Sequence, residues 1–220
     1  FGWQWNWLSA TGDDPRPRDA RTWNDATVSL VREVRQVIRA IRPDAVVMTE
    51  SLPATLLGVS DGGLDASFAW NASNNRPGPL RSPVRAARPG VGIFTNGSGL
   101  AELHEVFANG LNLALSRRWL PHRYHIRQLV ELRRSRRDSL VDGTVREVAE
   151  GSDRVLGLHY TGDRSEVVVL LSRDATSQTV TLPSGGMWTS EIGPMEGQAD
   201  GVVTIPPGGL VAMSRARCPE

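Results

Sequence analysis

A glutamate directly behind a short apolar run is the clearest candidate for chemistry in this sequence. The run Ala45–Met48 follows a turn at Pro43-Asp44 and leads through Thr49 to Glu50. Four successive apolar residues behind a helix predict a strand buried on both faces, as in a parallel sheet covered by helices. Catalytic groups in such sheets collect at the carboxyl ends of the strands. Glu50 therefore has the position of an acid or base; a surface glutamate that opens a loop is the alternative.

Three tryptophans alternate with amides at the start of the sequence. Trp3, Trp5 and Trp7 are separated by Gln4 and Asn6, and alternation in an extended segment places the three indoles on one face. Aromatic rings beside amides suit a sugar site, because pyranose rings combine apolar C–H faces with hydroxyl groups. Core packing at the end of a strand explains the same pattern equally well.

Further candidates close two other predicted strands. Trp70 and Asn71 close the second strand, and Asn96 closes the third. These side chains are candidates for lining the same cleft as Glu50, with core packing of Trp70 and helix capping by Asn96 as the alternatives. Asp65 begins the second predicted strand, so we expect it at the opposite edge of the sheet.

Composition excludes several kinds of chemistry. All 25 basic residues are arginine, so Schiff-base chemistry and a phosphate-loop lysine are impossible. The single Cys218 excludes an intrachain disulfide and a multi-cysteine metal site. His122 and His125 have the spacing of a helical metal pair, but no third ligand lies nearby in the sequence. We therefore expect both histidines to form hydrogen bonds, and we predict no metal and no cofactor.

The charge pattern argues against nucleic-acid and membrane partners. The net charge is only +1, which gives no general attraction to nucleic acid or to anionic membranes. No apolar run approaches the roughly 18 residues that a membrane span needs. The arginine run at 133–137 is bordered by Glu131 and Asp138, so we expect it to form salt bridges at a domain junction.

Helical and strand patterns alternate in the first two thirds of the sequence. Helices are predicted at 24–41, 100–109 and 122–138, and strands at 45–50, 64–70, 91–96 and 111–116. The first helix has Arg35 and Arg39 on one side, and an apolar stripe that we expect to face inward: Leu30, Val31, Val34, Val37, Ile38 and Ile41. Alternating helices and strands predict a parallel sheet. Four strands are half of an eight-stranded barrel.

The pattern changes after Gly143. Short strand-like runs separated by turn residues are predicted at 144–149, 154–160, 166–171, 176–182, 202–205 and 210–214. This spacing is typical of an antiparallel β-sandwich. We therefore expect an α/β domain at 1–142, which is part of a barrel, followed by an all-β antiparallel sandwich at 143–220.

The order of these parts along the sequence resembles that of a known protein family. A truncated parallel barrel is followed by an arginine-bearing helix at 127–143 and then by a sandwich that ends with the run 203–213. This order resembles the C-terminal half of a (β/α)8-barrel glycoside hydrolase, in an α-amylase-like or α-galactosidase-like arrangement. Counted back from the last helix, the four strands would be strands five to eight, and Phe1–Trp7 would follow strand four.

The resemblance implies roles for individual residues. Glu50 would be the general acid/base at the end of strand five, whereas the nucleophilic aspartate at the end of strand four would fall at or before Phe1. The third predicted strand departs from the amylase pattern, because Asn96-Gly97 stands in place of a His-Asp pair. We therefore expect a fragment of an uncharacterised glycoside hydrolase family that lacks its nucleophile.

The expected substrate is an oligosaccharide, a polysaccharide or another glycoside. Trp3, Trp5, Trp7, Trp70, Asn71 and Asn96 would shape its subsites. The expected partner is the missing N-terminal barrel half of the same polypeptide. A non-catalytic carbohydrate-binding protein and a structural accessory sandwich are the alternatives, and no compartment is predicted.

Overall fold

The chain folds into helices around a parallel sheet, followed by two antiparallel sheets. The computed structural model describes residues 20–49, 56, 58–64, 81, 92–95, 99–113, 117–149, 154–193 and 201–217. The helices in these ranges are α1 (Ala20–Ile41), α2 (Leu100–Ala108), α3 (Arg123–Ser135) and α4 (Arg137–Leu140), with a 3₁₀ helix at Arg117–His122. In the described part of the chain, no helix is long and apolar enough to cross a membrane.

The first sheet is parallel throughout. It contains β1 (Met48–Thr49), β2 (Gly62–Leu64), β3 (Gly92–Thr95) and β4 (Asn112–Leu113), in the order β1-β2-β3-β4. Strand β2 begins two residues before the predicted strand at 64–70. The prediction missed these two residues because both are glycines, which are uncommon in strands. The described part of β2 ends at Leu64, so the expected position of Asp65 at the start of a strand stays a prediction. Asp65 itself lies outside the described residues.

Helix α1 presents a different face from the one expected. Five of the six members of the predicted inward stripe are exposed, including Leu30 at 61% and Ile41 at 76%. Arg35 and Arg39, on the other side of the helix, instead face the sheet, and each donates a hydrogen bond to Asp61, at 2.7 and 2.8 Å. Charge-assisted hydrogen bonds to one partly buried carboxylate thus orient the helix. The expectation that the apolar stripe faces inward was wrong.

The rest of the described chain is antiparallel. A five-stranded sheet has the order β5-β6-β7-β11-β9, and a two-stranded sheet pairs β10 with β8. The strands are β5 (Thr144–Glu147), β6 (Val155–Thr161), β7 (Ser165–Ser172), β8 (Gln178–Thr181), β9 (Thr189–Ile192), β10 (Val202–Ile205) and β11 (Leu210–Ala216). Only β9 was missed among these strands. It lies at the sheet edge, and its mostly polar, half-exposed sequence lacks an apolar run.

The central strands of the larger sheet are buried on both faces. On β7, Val167, Val169 and Leu171 pack against the helices, whereas Val168 and Leu170 pack towards the two-stranded sheet. A strand covered on both sides is apolar without alternation, which explains the continuous run in this part of the sequence. The core cluster on the helical side and the core cluster towards the two-stranded sheet are therefore separated by a single layer of strands.

A tight crossing joins α4 to the five-stranded sheet. Asp138 accepts hydrogen bonds from the backbone N–H groups of Arg164 and Ser165, both at 2.9 Å, which ties α4 to the β6–β7 turn. A Cβ atom on Gly143 would lie 2.5 Å from the carbonyl oxygen of Thr161. The chain can pass from the helices to the sheet here because glycine has no side chain.

Candidate active site

The carboxyl ends of the four parallel strands meet at one edge of the sheet. Thr49 on β1 lies opposite Gly63 on β2, Leu64 lies opposite Phe94 on β3, and Thr95 lies opposite Leu113 on β4. The strands therefore end within about one residue of one another across the sheet. An edge of this kind is where side chains from separate loops converge on a ligand.

The predicted site residues lie outside the described part of the chain. Glu50 is the residue directly after β1, and Asn96 is the residue directly after β3. Trp70 and Asn71 belong to the stretch between β2 and β3, and Trp3, Trp5 and Trp7 precede α1. The structure thus defines the strand ends that carry Glu50 and Asn96, whereas the geometry among the seven side chains stays a prediction.

Among the described residues, a histidine pair connects α2 with α3. The Nε2 atoms of His104 and His125 are 3.0 Å apart, and the rings meet edge to face. Burial lowers the pKa of His104 to about 4, and the neighbouring His125 and His122 add to this effect. The Gly208 backbone beside the ring acts in the opposite direction, although no acceptor among the described residues reaches the buried Nδ1 atom with regular hydrogen-bond geometry.

The histidine pair does not extend to a metal site. Within the described ranges, no group of three or more His, Cys, Asp or Glu side chains is arranged to hold a metal ion. His122, which was predicted together with His125, packs its ring against Trp119, with centroids 6.5 Å apart. The expected hydrogen bond of His125 is present, but its partner, His104, was not predicted.

A second polar cluster lies on the face of the five-stranded sheet that turns towards the two-stranded sheet. Glu166 on β7 accepts hydrogen bonds from His159 and from Arg215, at 2.8 and 2.7 Å. Because the guanidinium of Arg146 donates to Nδ1 of His159 at 3.1 Å, the proton of the neutral ring lies on Nε2 and points at Glu166. Arg215 also covers the ring of Trp188, 4.4 Å from its centroid.

Charge and burial explain the titration of this cluster. Burial alone would raise the pKa of Glu166, but the hydrogen bonds from Arg215 and His159 lower it. Burial lowers the pKa of His159, together with the charges of Arg146 and Arg215, although Glu166 acts in the opposite direction. The cluster therefore favours a neutral histidine beside an ionised glutamate. Its compact packing under Trp188 indicates a structural role.

Strand alternation could have identified this cluster from the sequence. Arg215 is the direct cross-strand partner of Glu166, and His159 is two residues along β6 from Thr161, the residue opposite Glu166. All three side chains lie on the face of the sheet that turns towards the two-stranded sheet. The predicted strand at 210–214 ends one residue before Arg215, and the order of strands in the sheet was not predictable from alternation alone.

An apolar cavity of about 340 Å³ lies between α2 and α3. Leu103, Phe107, Ile126 and Leu129 form much of its wall, and Arg133 borders it. Arg133 donates a hydrogen bond to the carbonyl oxygen of Leu111 at 2.9 Å. The cavity offers few polar groups to a sugar, so it is a poor candidate for the predicted substrate.

Ion pairs connect the helices to the five-stranded sheet. Arg136 pairs with Glu191 on β9 at 2.7 Å, and Glu105 on α2 pairs with Arg173 after β7 at 2.5 Å. The hydroxyl group of Tyr160 donates to the carbonyl oxygen of Ala108 at 2.7 Å. The predicted salt bridge is thus confirmed for Arg136.

Comparison with known proteins identifies the fold. No protein-family model and no curated protein sequence matches the chain. An α-amylase from Anoxybacillus, described as a new glycosyl hydrolase subclass, is 14% identical with a TM-score of 0.61, and the match covers 88% of this chain and 56% of that one. An α-amylase from H. orenii is 13% identical with a TM-score of 0.56, and the match covers 87% and 57%.

A third solved structure is similar over the same extent. A cyclomaltodextrin glucanotransferase with a three-domain ABC distribution is 12% identical with a TM-score of 0.60, and the match covers 87% of this chain and 54% of that one. The chain thus spans little more than half of the length of each of these proteins. At such low identity the likeness concerns the fold and not the activity. The chain has an α-amylase-like fold, with a helix-flanked parallel sheet and antiparallel sheets.

Proposed function

We propose that this chain contributes the proton donor of a glycoside hydrolase, and that Glu50 is that donor. The observation that carries the proposal is the aligned carboxyl edge of the parallel sheet, with Glu50 directly after β1. The α-amylase-like fold supports it, because (β/α)8 enzymes place their chemistry at this edge. We further propose that β1 to β4 are strands five to eight of a barrel and that the antiparallel sandwich begins at residue 143.

The proposed reaction needs two carboxyl groups. One protonates the departing glycosidic oxygen, and the second attacks the anomeric carbon or activates a water molecule. The separation of the two groups, about 5–5.5 Å or about 6.5–9.5 Å, determines retention or inversion. Glu50 supplies the first group, and the second comes from a part of the protein outside the described residues.

The substrate is an oligosaccharide, a polysaccharide or another glycoside. Asn96 directly follows β3 and Asn71 belongs to the stretch after β2, so both amides are candidates for hydrogen bonds to sugar hydroxyls. Trp70 is the candidate for stacking against a pyranose face. Trp3, Trp5 and Trp7 are further candidates for shaping the subsites, with core packing at the end of a strand as an equally good alternative.

The proposal is tested by Glu50→Gln in the full-length gene product. The amide keeps the shape of the side chain but cannot protonate a leaving group, so we expect kcat/KM to fall by about 10²–10⁴-fold on a glycoside with a poor leaving group. The loss should be much smaller on a nitrophenyl glycoside, because nitrophenolate leaves without protonation. Initial rates on both substrates provide the measurement.

The matched control is Glu33→Gln. Glu33 lies on the exposed surface of α1, so this change should leave both rates within about twofold of the original. Equal losses on the two substrates would assign Glu50 a structural role. Saturable glycan binding by the unaltered protein without turnover would contradict the hydrolase proposal and favour a non-catalytic carbohydrate-binding protein.

A further inference from the structure

Asp61 connects α1 with the residues just before β1. Its backbone N–H donates to the carbonyl oxygen of Val47 at 2.8 Å, and its side chain accepts from the N–H of Val47 at 2.9 Å. One residue therefore holds both backbone groups of Val47. The same carboxylate accepts from Arg35 and Arg39 at 2.7 and 2.8 Å. Arg39 also donates to the carbonyl oxygen of Ala45 at 3.3 Å.

The Asp61 carboxylate is ionised at neutral pH in these surroundings. Burial alone would raise its pKa, but the hydrogen bonds from Arg35 and Val47 and the charges of Arg35 and Arg39 lower it. Charge-assisted hydrogen bonds are shorter and stronger than neutral ones, and the side chain of Asp61 is only 16% exposed. Asp61, Arg35 and Arg39 thus form a connected polar group, here called the β1 clamp.

Side-chain packing between β1 and β2 does little to select a register. Met48 and Thr49 lie opposite Gly62 and Gly63, and glycine offers no side chain to pack against. Met48 is also 45% exposed. Register is weakly specified in glycine-rich strands, because a slipped pairing costs little packing. A clamp on both backbone groups of Val47 adds the specificity that cross-strand packing does not supply.

We propose that Asp61 is a positioning residue for Glu50: the β1 clamp fixes the register of β1 and thereby the point at which the chain leaves the sheet. Val47 is three residues before Glu50. A slip of one residue would displace the chain by about 3.3 Å and turn alternate side chains to the other face. A misplacement of about 1 Å can already cost about 10²-fold in rate. This inference rests on the proposed role of Glu50 as proton donor.

Kinetics of Asp61→Asn and Glu50→Gln in the full-length gene product test the positioning role. The amide at 61 keeps the size of the side chain but removes its charge and one acceptor oxygen. We expect kcat/KM to fall by about 10–10²-fold on the glycoside with a poor leaving group, and by much less on the nitrophenyl glycoside. In the double variant, the loss should be close to that of Glu50→Gln alone, because no proton donor is left to position.

The matched control is Asp44→Asn. Asp44 pairs with Arg42 just after α1, and its side chain is 77% exposed, so both rates should stay within about twofold of the original. Arg39→Gln is a milder change to the β1 clamp, since Asp61 keeps its bonds to Arg35 and Val47. It should cause a smaller loss than Asp61→Asn, with the same dependence on the leaving group.

Hydrogen exchange reports on the β1 clamp without any substrate. In Asp61→Asn, the amides of residues 45–49 should exchange at least about tenfold faster than in the original protein and in Asp44→Asn, because local opening no longer has to break the clamp. Exchange in the antiparallel sheets should stay unchanged, which verifies that the variant remains folded.

The two measurements separate this inference from the proposed function. Equal losses of Asp61→Asn on both substrates, or a loss that multiplies that of Glu50→Gln, would overturn the positioning role and leave Asp61 a structural one. Unchanged exchange at 45–49 would also overturn it, since β1 would keep its register without the clamp. If Glu50→Gln itself shows no dependence on the leaving group while Asp61→Asn accelerates exchange, the proton-donor role fails and the role of the clamp in the register stands.

Discussion

The buried ring of His104 gives the protein a sensitivity to acid at the scale of a single residue. Its pKa is lowered from 6.5 to about 4, mainly by burial. Between these two pH values the unfolded chain binds a proton that the folded chain does not, so the free energy of unfolding falls as the pH decreases from about 6.5 to about 4. This slope reports the number of protons that the chain takes up on unfolding. We expect His104→Gln to lower that number by up to one, as measured by urea unfolding at a series of pH values.

His122→Gln is the control for this pH dependence. It leaves the His104–His125 contact intact and removes only the weakest of the contributions that lower the pKa of His104, so it should reduce the slope much less than His104→Gln does. Some carboxylates have lowered pKa values: Asp61, Asp138 and Glu166. Their contribution to the free energy of unfolding is lost only as the pH falls below the ordinary pKa of a carboxyl group, near 4. An unchanged slope between pH 6.5 and 4.5 in His104→Gln would show that the ring is protonated in the folded protein.

Sequence patterns found some of these residues and not others, for a physical reason. The apolar run before Glu50 and the spacing between His122 and His125 are local features, so the sequence alone was enough to find them. The surroundings of His104 include His125 and the Gly208 backbone, which lie in other parts of the chain, and the role of Asp61 depends on two arginines from α1. Contacts between distant parts of the chain leave no periodic trace in a single sequence.

At the scale of elements, the crossing between α4 and the β6–β7 turn requires two glycines. A Cβ atom on Gly143 would lie 2.5 Å from the Thr161 carbonyl oxygen, and one on Gly162 would lie 2.5 Å from the Asp138 backbone. Because both neighbours are backbone atoms, the turn has to shift. We expect Gly143→Ala and Gly162→Ala each to lower the free energy of unfolding by about 1–3 kcal/mol, as measured by urea denaturation.

Gly58→Ala serves as the control for the crossing, since no heavy atom of the described residues lies within 4 Å of its Cβ position. This change should be neutral within about 0.5 kcal/mol. If all three variants had the same stability, the close approach at Gly143 would not exist in solution.

The elements and their orientation were predicted correctly where the apolar residues of the pattern are buried, and the orientation was predicted wrongly where those residues are exposed. Strand β10 was predicted at its observed bounds, and β7 was recognised because both faces are covered. Helix α1 was placed correctly, but the side facing the sheet was not, because ion pairs with Asp61 orient it. Periodicity identifies an apolar face, whereas the neighbour of that face is decided by the fold as a whole.

At the scale of the whole molecule, one apolar core crosses the predicted boundary at residue 142. Leu103, Leu129 and Leu132 from the helices pack in the same cluster as Leu158 and Val169 from the five-stranded sheet. The Tyr160 hydroxyl group and the Glu105–Arg173 ion pair add polar connections across it. A shared core of this kind couples the unfolding of the helices to that of the sheet.

This coupling predicts the behaviour of a truncation in α3. Leu132 is only 5% exposed in the shared core, so Leu132→Ala should cost about 2–5 kcal/mol. Because the core is common to both parts, hydrogen exchange should accelerate by a similar factor in α3 and in β6 and β7. Val130→Ala, at an exposed position of the same helix, should change neither. Acceleration confined to the helices would show that the antiparallel sheets fold independently, and residue 142 would then mark a boundary between separately stable units.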